Sequence, residues 1–494
     1  MRTVPGRTQR VVVIGAGLGG LSAALHLAGA GRDVTILERA AEPGGRAGVL
    51  RDGGYTFDTG PTVITMPSLI GEALAAVDEE LDDWLDLRRL DPAYRARFAD
   101  GSSLDVLTDV EAMAGSIRTL CGPGDADGYL RLVAYLQTLY EIEMPHFIAR
   151  NLDSPFALLG RPLLDLVRLG AFRRLAPKVA SFVRDERLRR LFTFQAMYAG
   201  LAPAQALAIY AVITYMDSVG GVYFPMGGVH AVPRALAGAA IKHGVTIRYD
   251  TAAARIEVRD GRALAVIAEG GERIAADVVV VNADAPTAYR ELLAREPRRL
   301  RYSPSCVVMH IGARGGAPDA HHTISFGAAW QSTFDEIIER GQLMSDPSFL
   351  LSTPTLTDPS LAPAGAQAHY ALFPAPNLDH RTPIDWAVET PRYTERILAT
   401  LSARGFDIEP EVQHVTTPAD WAARGLAAGA PFAASHRFAQ TGPFRLPTLD
   451  RRVENLVFCG SNVQPGVGVP MVLVSGRLAA ERVVGARVAS ATIV

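Results

Sequence analysis

The chain has 494 residues, 48% of them hydrophobic, with a formal net charge of −3, enough for two or three domains around a large core. So balanced a charge gives no reason to expect a nucleic-acid partner. Three scattered cysteines, Cys121, Cys306 and Cys459, argue against a disulfide framework and for a reducing compartment.

Taken in chain order, Val11-Val12-Val13-Ile14 predicts a buried strand. The turn Gly15-Ala16-Gly17-Leu18-Gly19-Gly20, the helix Leu21-Ser22-Ala23-Ala24-Leu25-His26-Leu27-Ala28 and a second strand Asp33-Val34-Thr35-Ile36-Leu37 follow, with Glu38 closing the unit. This is the order of a dinucleotide-binding fingerprint. Gly15 allows the tight turn, Gly17 admits a diphosphate close to the backbone, and Gly20 lets the helix pack on the strand. Glu38 is placed to accept hydrogen bonds from a ribose diol. The helix start offers free N–H groups and a positive dipole end.

After Arg39 come Pro43-Gly44-Gly45-Arg46 and then Phe57-Asp58-Thr59-Gly60-Pro61-Thr62. With these segments the chain resembles the superfamily of FAD-dependent amine oxidases and phytoene desaturases. The resemblance implies that Arg39, Gly44, Gly45, Arg46, Gly60, Pro61 and Thr62 line the cofactor. Arg46 would stand near the flavin or the diphosphate, where a rigid fork of donors suits an anion.

Residues 105–219 are expected to be mainly helical. Met144-Pro145-His146-Phe147-Ile148-Ala149-Arg150 is apolar and basic, and residues 161–190 hold nine basic side chains against Asp165, Asp185 and Glu186. Apolar side chains ringed by arginine suit an anionic lipid surface; a solvated basic face of a helical cap accounts for them equally. Asp165 and Arg168 lie three apart, on one face of a helix. The resembling desaturases carry an acid and an arginine at this spacing, which implies a catalytic charged pair beside the substrate; the alternative is a surface ion pair. Residues 206–216 are too apolar for a surface helix.

Gly220-Gly221-Val222-Tyr223-Phe224-Pro225-Met226-Gly227-Gly228 is similar to a desaturase segment, and alternating runs after it predict strands and hairpins up to Asp277-Val278-Val279-Val280-Val281-Asn282. The resemblance sets Ala253 against the adenine and Asn282 in the cofactor site. His321-His322 is the only histidine pair. Neighbouring side chains on a strand point apart, so no metal site is expected, and the pair is assigned to a surface or to pocket lining. Residues 300–420 mix strands such as Ser305-Cys306-Val307-Val308-Met309-His310-Ile311 with proline-rich loops.

Near the C-terminus, Asn455-Leu456-Val457-Phe458-Cys459-Gly460 predicts a strand and Val472-Leu473-Val474-Ser475-Gly476-Arg477-Leu478-Ala479-Ala480-Glu481-Arg482 a helix. The loop between them resembles the carotenoid-desaturase signature through Pro465-Gly466 and Gly468-Val469-Pro470. By that resemblance Gly460, Gly468, Val469, Pro470 and Met471 lie beside the isoalloxazine, under a positive helix end.

The expected architecture is α/β. A discontinuous Rossmann-like FAD-binding domain (10–65, 220–290 and 445–490) joins a mixed-sheet substrate domain (66–104 and 300–444) and a helical, membrane-contacting cap (105–219). The expected activity is desaturation of a hydrocarbon carotenoid precursor, phytoene to a more conjugated polyene such as lycopene, by hydride transfer to the flavin in an apolar tunnel. The expected cofactor is FAD alone, since no second fingerprint for NAD(P)H occurs, with oxygen or a membrane quinone as electron acceptor. The expected setting is cytoplasmic, peripheral on the inner face of a membrane, with no stretch of about 18 apolar residues to span it. Alternatives are a related amine-oxidase-like flavoenzyme acting on another apolar substrate, a carotenoid isomerase or saturase, and a non-catalytic flavin-binding protein.

Overall fold

The computed structural model describes residues 1–315 and 320–486. Residues 316–319, in the expected substrate region, and 487–490, at the end of the third expected cofactor segment, lie outside the described residues.

A five-stranded parallel sheet organises the cofactor side. Its spatial order is Leu456–Phe458, Val278–Val281, Arg10–Ile14, Asp33–Leu37 and Thr246–Arg248. Val278 to Val281 are completely buried, as unbroken β-branched runs are when both faces of a parallel sheet are covered. The helices Leu18–Gly29 and Val469–Val484 pack together on one face. Their approach is close enough that a Cβ on Gly476 would fall 2.3 Å from the Gly19 carbonyl oxygen. The antiparallel strands Ala253–Arg259, Arg262–Ala268 and Arg273–Ala275 cover the other face through Ile256 and Val266.

The second large sheet has seven strands, ordered Pro410–Thr416, Ser305–Arg314, Ala366–Ala375, Phe349–Ser352, His322–Ser325, Tyr94–Arg97 and Ser103–Val106. It is mixed: His322–Ser325 pairs parallel to Tyr94–Arg97, and its other neighbours pair antiparallel. The strand Ser103–Val106 runs two residues past the expected boundary at 104. Helix Trp386–Ala403 buries Trp386, Tyr393 and Ile397 against one face.

The chain between Val106 and Tyr223 forms the helices Val110–Cys121, Pro123–Glu143 and Arg161–Leu169, with short turns. Residues 206–216 are largely buried, as their composition implies, but they are not one helix. A 3₁₀ turn at Ala208–Tyr210 leads into one α turn at Ala211–Thr214 and a widened turn at Tyr215–Val219. A run this uniformly apolar has no period from which its backbone form can be read. Among the described residues no helix is long and apolar enough to cross a membrane.

Candidate active site

One cavity of about 1090 Å³ opens between the two sheets and the helical region. Pockets for a single small ligand commonly measure about 300–1,000 Å³. This one lies just above that range.

The polar part of its wall is built from the fingerprint. Gly15, Gly17 and Gly19 line it, with Glu38, Arg39 and Ala253. Glu38 is buried, and its carboxylate accepts from the N–H of Ala16 at 2.7 Å and of Ala40 at 2.9 Å. Asn282 lies beneath the loop, donating through Nδ2 to the Gly15 carbonyl at 3.3 Å. A Cβ on Gly17 or Gly19 would come within 2.8 or 2.7 Å of the Asn282 amide, so these glycines make room for Asn282 as well as for a ligand. Gly20 does not line the cavity. Its Cβ would fall 2.1 Å from the Gly15 oxygen, so it acts on the packing of helix against turn.

Gly44, Gly45, Arg46, Gly60, Pro61 and Thr62 continue the wall, as do Asn282, Gly460, Gly468, Val469, Pro470 and Met471. Arg46 donates to the Pro431 carbonyl at 2.5 Å and to the Ser461 hydroxyl. Burial lowers its pKa from the usual arginine value, with Asp284 opposing. Asp284 in turn caps the helix Ala285–Glu291 and accepts from Asn462 Nδ2 at 2.6 Å. Two helix starts thus face one space. Leu18–Gly29 begins at Gly17 and Val469–Val484 at Gly468, and each lacks both a side-chain cap and an acid in its first turn. Uncapped N–H groups with positive dipoles are sites for anions. The diphosphate and the ring of FAD fit these two ends, and the fit rests on donors and clearances the chain itself presents.

The remaining wall is apolar. Phe147, Leu163, Leu166, Phe172, Phe326 and Trp330 contribute to it. Helix Arg161–Leu169 divides its side chains: Leu163 and Leu166 turn to the cavity, while Leu164 and Val167 lie exposed. Phe156, Leu159 and Phe438 are exposed as well, Phe156 by 79%.

Two expectations need correction here. Asp165 and Arg168 do pair, Nη1 to Oδ1 at 3.2 Å, but neither lines the cavity and the Arg168 side chain is 76% exposed. At positions 163 and 166 leucines take the inward face, which leaves the charged pair outside as a surface i,i+3 bridge. His321 and His322 do not point apart either: both are buried, with ring centroids 4.4 Å apart. His321 precedes the strand His322–Ser325, so strand alternation does not govern it. His321 lines a separate small hollow beside Asp58 and His369, not the large cavity.

Polar residues that the sequence reading passed over stand in the apolar wall: Glu143, Asp217, Tyr198, Tyr210 and His436. Burial pushes the Glu143 carboxyl well above the usual range and the Asp217 carboxyl up to about 7. Burial first, and then the neighbouring Arg445 guanidinium, holds His436 well below the normal imidazole value. One signal was present in the sequence, since Asp217 is a lone acid closing the apolar run at 206–216.

Comparisons with known proteins agree with this geometry. The family described as flavin-containing amine oxidoreductases matches residues 18–484. A phytoene dehydrogenase of Streptomyces griseus is 53% identical, over 99% of this chain and 98% of its own length. A zeta-carotene-forming phytoene desaturase of Myxococcus xanthus is 39% identical over 96% and 93%. Among solved structures, an oxidoreductase of Methanosarcina mazei superposes with a TM-score of 0.63 at 17% identity, covering 95% of this chain and 99% of that one; this likeness supports the fold.

Proposed function

The chain belongs to the flavin-containing amine oxidoreductases, and on that premise we propose that it converts phytoene, a hydrocarbon carotenoid precursor, into a more conjugated polyene. It is an FAD-dependent oxidoreductase of the phytoene desaturase type, acting on CH–CH bonds. The observation that carries this reading is a single cavity whose wall passes from two uncapped helix starts to leucine, phenylalanine and tryptophan.

A hydrocarbon has no hydroxyl, amine or carboxylate for a charged site to grip. Bound FAD supplies the acceptor for a hydride and its electron pair. The chain does the rest. Gly17 and Gly468 present helix N–H groups to the diphosphate and the ring, Glu38 serves the ribose, and Arg46 adds a cation where negative charge collects. Leu163, Leu166 and Phe326 hold an extended polyene and keep water away from it.

The exposed apolar side chains Phe156, Leu159, Leu164, Val167 and Phe438, with Arg161 and Arg168 among them, support a second element of the proposal. The protein rests on an anionic membrane surface, from which the substrate enters. Oxygen or a membrane quinone then takes the electrons.

The test is purified protein with bound flavin given phytoene in liposomes without oxygen. Loss of flavin colour is expected, and extraction of a coloured polyene once oxygen is readmitted to carry repeated turnovers. Flavin that keeps its colour with phytoene but loses it with an amine would overturn the reading.

A further inference from the structure

The apolar wall holds two carboxyls and one imidazole with no task so far: Glu143, Asp217 and His436, each buried and each with an unpartnered polar atom. Their surroundings separate them. Hydride loss leaves a positive charge spread over the polyene, and the Arg445 guanidinium beside His436 works against such a charge. Burial, with nothing opposing it, pushes the Glu143 carboxyl well above the usual range, which disfavours the anion that a proton acceptor needs.

Asp217 is different. Its Oδ1 accepts from Ser218 Oγ at 2.7 Å and from Gln195 Nε2 at 3.4 Å, while Oδ2 has no partner and the residue is 2% exposed. Thr214 Oγ1 donates to Gln195 Oε1 at 3.2 Å, which fixes that amide. The phenols of Tyr94 and Tyr198 lie within electrostatic reach of the carboxyl. The residue sits in the widened turn Tyr215–Val219, closed by Gly220 N–H to the Tyr215 carbonyl at 2.8 Å; such turns recur at functional sites. A few residues on, Tyr223 N–H donates to the Ile64 carbonyl at 2.8 Å, tying this stretch to the segment that carries Thr62 and Thr65 on the cavity wall.

We propose that Asp217, through Oδ2, accepts the proton from the carbon next to the one that gives up hydride. This rests on the desaturase reading above. One C–H bond breaks and its electron pair leaves with the hydride for the flavin, which is the oxidant. The neighbouring C–H bond breaks, its pair becomes the new C=C bond, and the proton forms an O–H bond on Asp217. The polyene is thereby oxidised by two electrons. The carboxylate also lowers the energy of the positive charge developing along the chain. With its pKa raised by burial to about 7, the group is able to take up and release a proton near neutral pH.

The experiment compares the FAD-loaded wild type with Asp217→Asn and Asp217→Glu. All three are expected to carry the same flavin content and spectrum. Anaerobic bleaching by phytoene in liposomes containing phosphatidylglycerol should slow about 100-fold or more in Asp217→Asn, with partial recovery in Asp217→Glu. The wild-type rate should rise through a midpoint near pH 7, and the rate of the asparagine variant should be flat across it. Thermal melting needs no substrate: the asparagine variant should match wild type near pH 3 and melt progressively higher than wild type as pH rises to 8. Equal bleaching rates in wild type and Asp217→Asn overturn the assignment, as does a melting difference that ignores pH. A wild type that phytoene does not bleach overturns the desaturase reading and Asp217's part in it together, which separates the two failures.

Discussion

Asn282 and the loop it supports show how much depends on single atoms at the residue scale. Gly20→Ala places a methyl group where the Gly15 oxygen already stands; overpacking of this kind costs about 1–3 kcal/mol. The variant should melt lower and lose flavin on gel filtration. Asp165→Asn and Arg168→Ala, both on the outer surface, should leave detergent-assayed turnover within about twofold of wild type, as exposed pairs contribute about 0–1 kcal/mol.

For Asp217 the sign of the pH effect follows from its two pKa values. The unfolded carboxyl ionises near 3.8 and the folded one near 7. Between these values the unfolded chain has released a proton that the folded chain retains, so folding weakens as pH rises. By pH 8 the loss reaches about 4 kcal/mol, which Asp217→Asn should recover in denaturant unfolding at pH 8 and not at pH 3.

The fingerprint glycines and Glu38 were legible because each has a fixed offset from a strand, and Arg46 because of the family resemblance. Asp217 and Glu143 have none. Their importance comes from burial, and burial is set by residues such as Tyr94 and Gln195 that are distant in sequence.

At the scale of elements, the helix Val469–Val484 is held by more than its glycine contact with Leu18–Gly29. Arg477 stands 2.7 Å from Glu72 and 2.6 Å from Glu481, and all three side chains are nearly inaccessible to solvent. Removing one partner of a buried charge typically costs about 3–5 kcal/mol. Glu72→Ala should therefore lower unfolding free energy by that order and loosen the helix start that faces the flavin, seen as weaker flavin retention. The sequence showed where this helix lies because its apolar residues repeat at helical spacing. It marked residues 206–216 as buried but not their backbone form, since so uniformly apolar a run has no period to read. Pocket lining by His321 was among its expectations, but the divergence from His322 was not met, because strand alternation applies only inside a strand.

For the whole molecule, the decisive relation is between the cavity and the exposed apolar side chains of residues 156–167. Each large apolar side chain buried on binding contributes about 1.5–3 kcal/mol. Phe156→Asp combined with Leu159→Asp should reduce co-sedimentation with vesicles containing phosphatidylglycerol by more than about tenfold. Turnover should fall with liposomal substrate and hold in detergent. Arg161→Ala should mainly reduce the salt sensitivity of that binding.

The order of strands in the parallel sheet carries a last consequence. Leu456–Phe458 forms one edge, and the helix start at Val469 completes the wall. A ribosome has therefore released residues 1–469 before the flavin meets its finished seat. Until then the fingerprint helix lacks the partner that packs at Gly19, and its apolar side stays uncovered. Nascent chains arrested before residue 469 should retain no yellow colour and should depend on chaperones, whereas a brief pause after that point should suffice for cofactor capture.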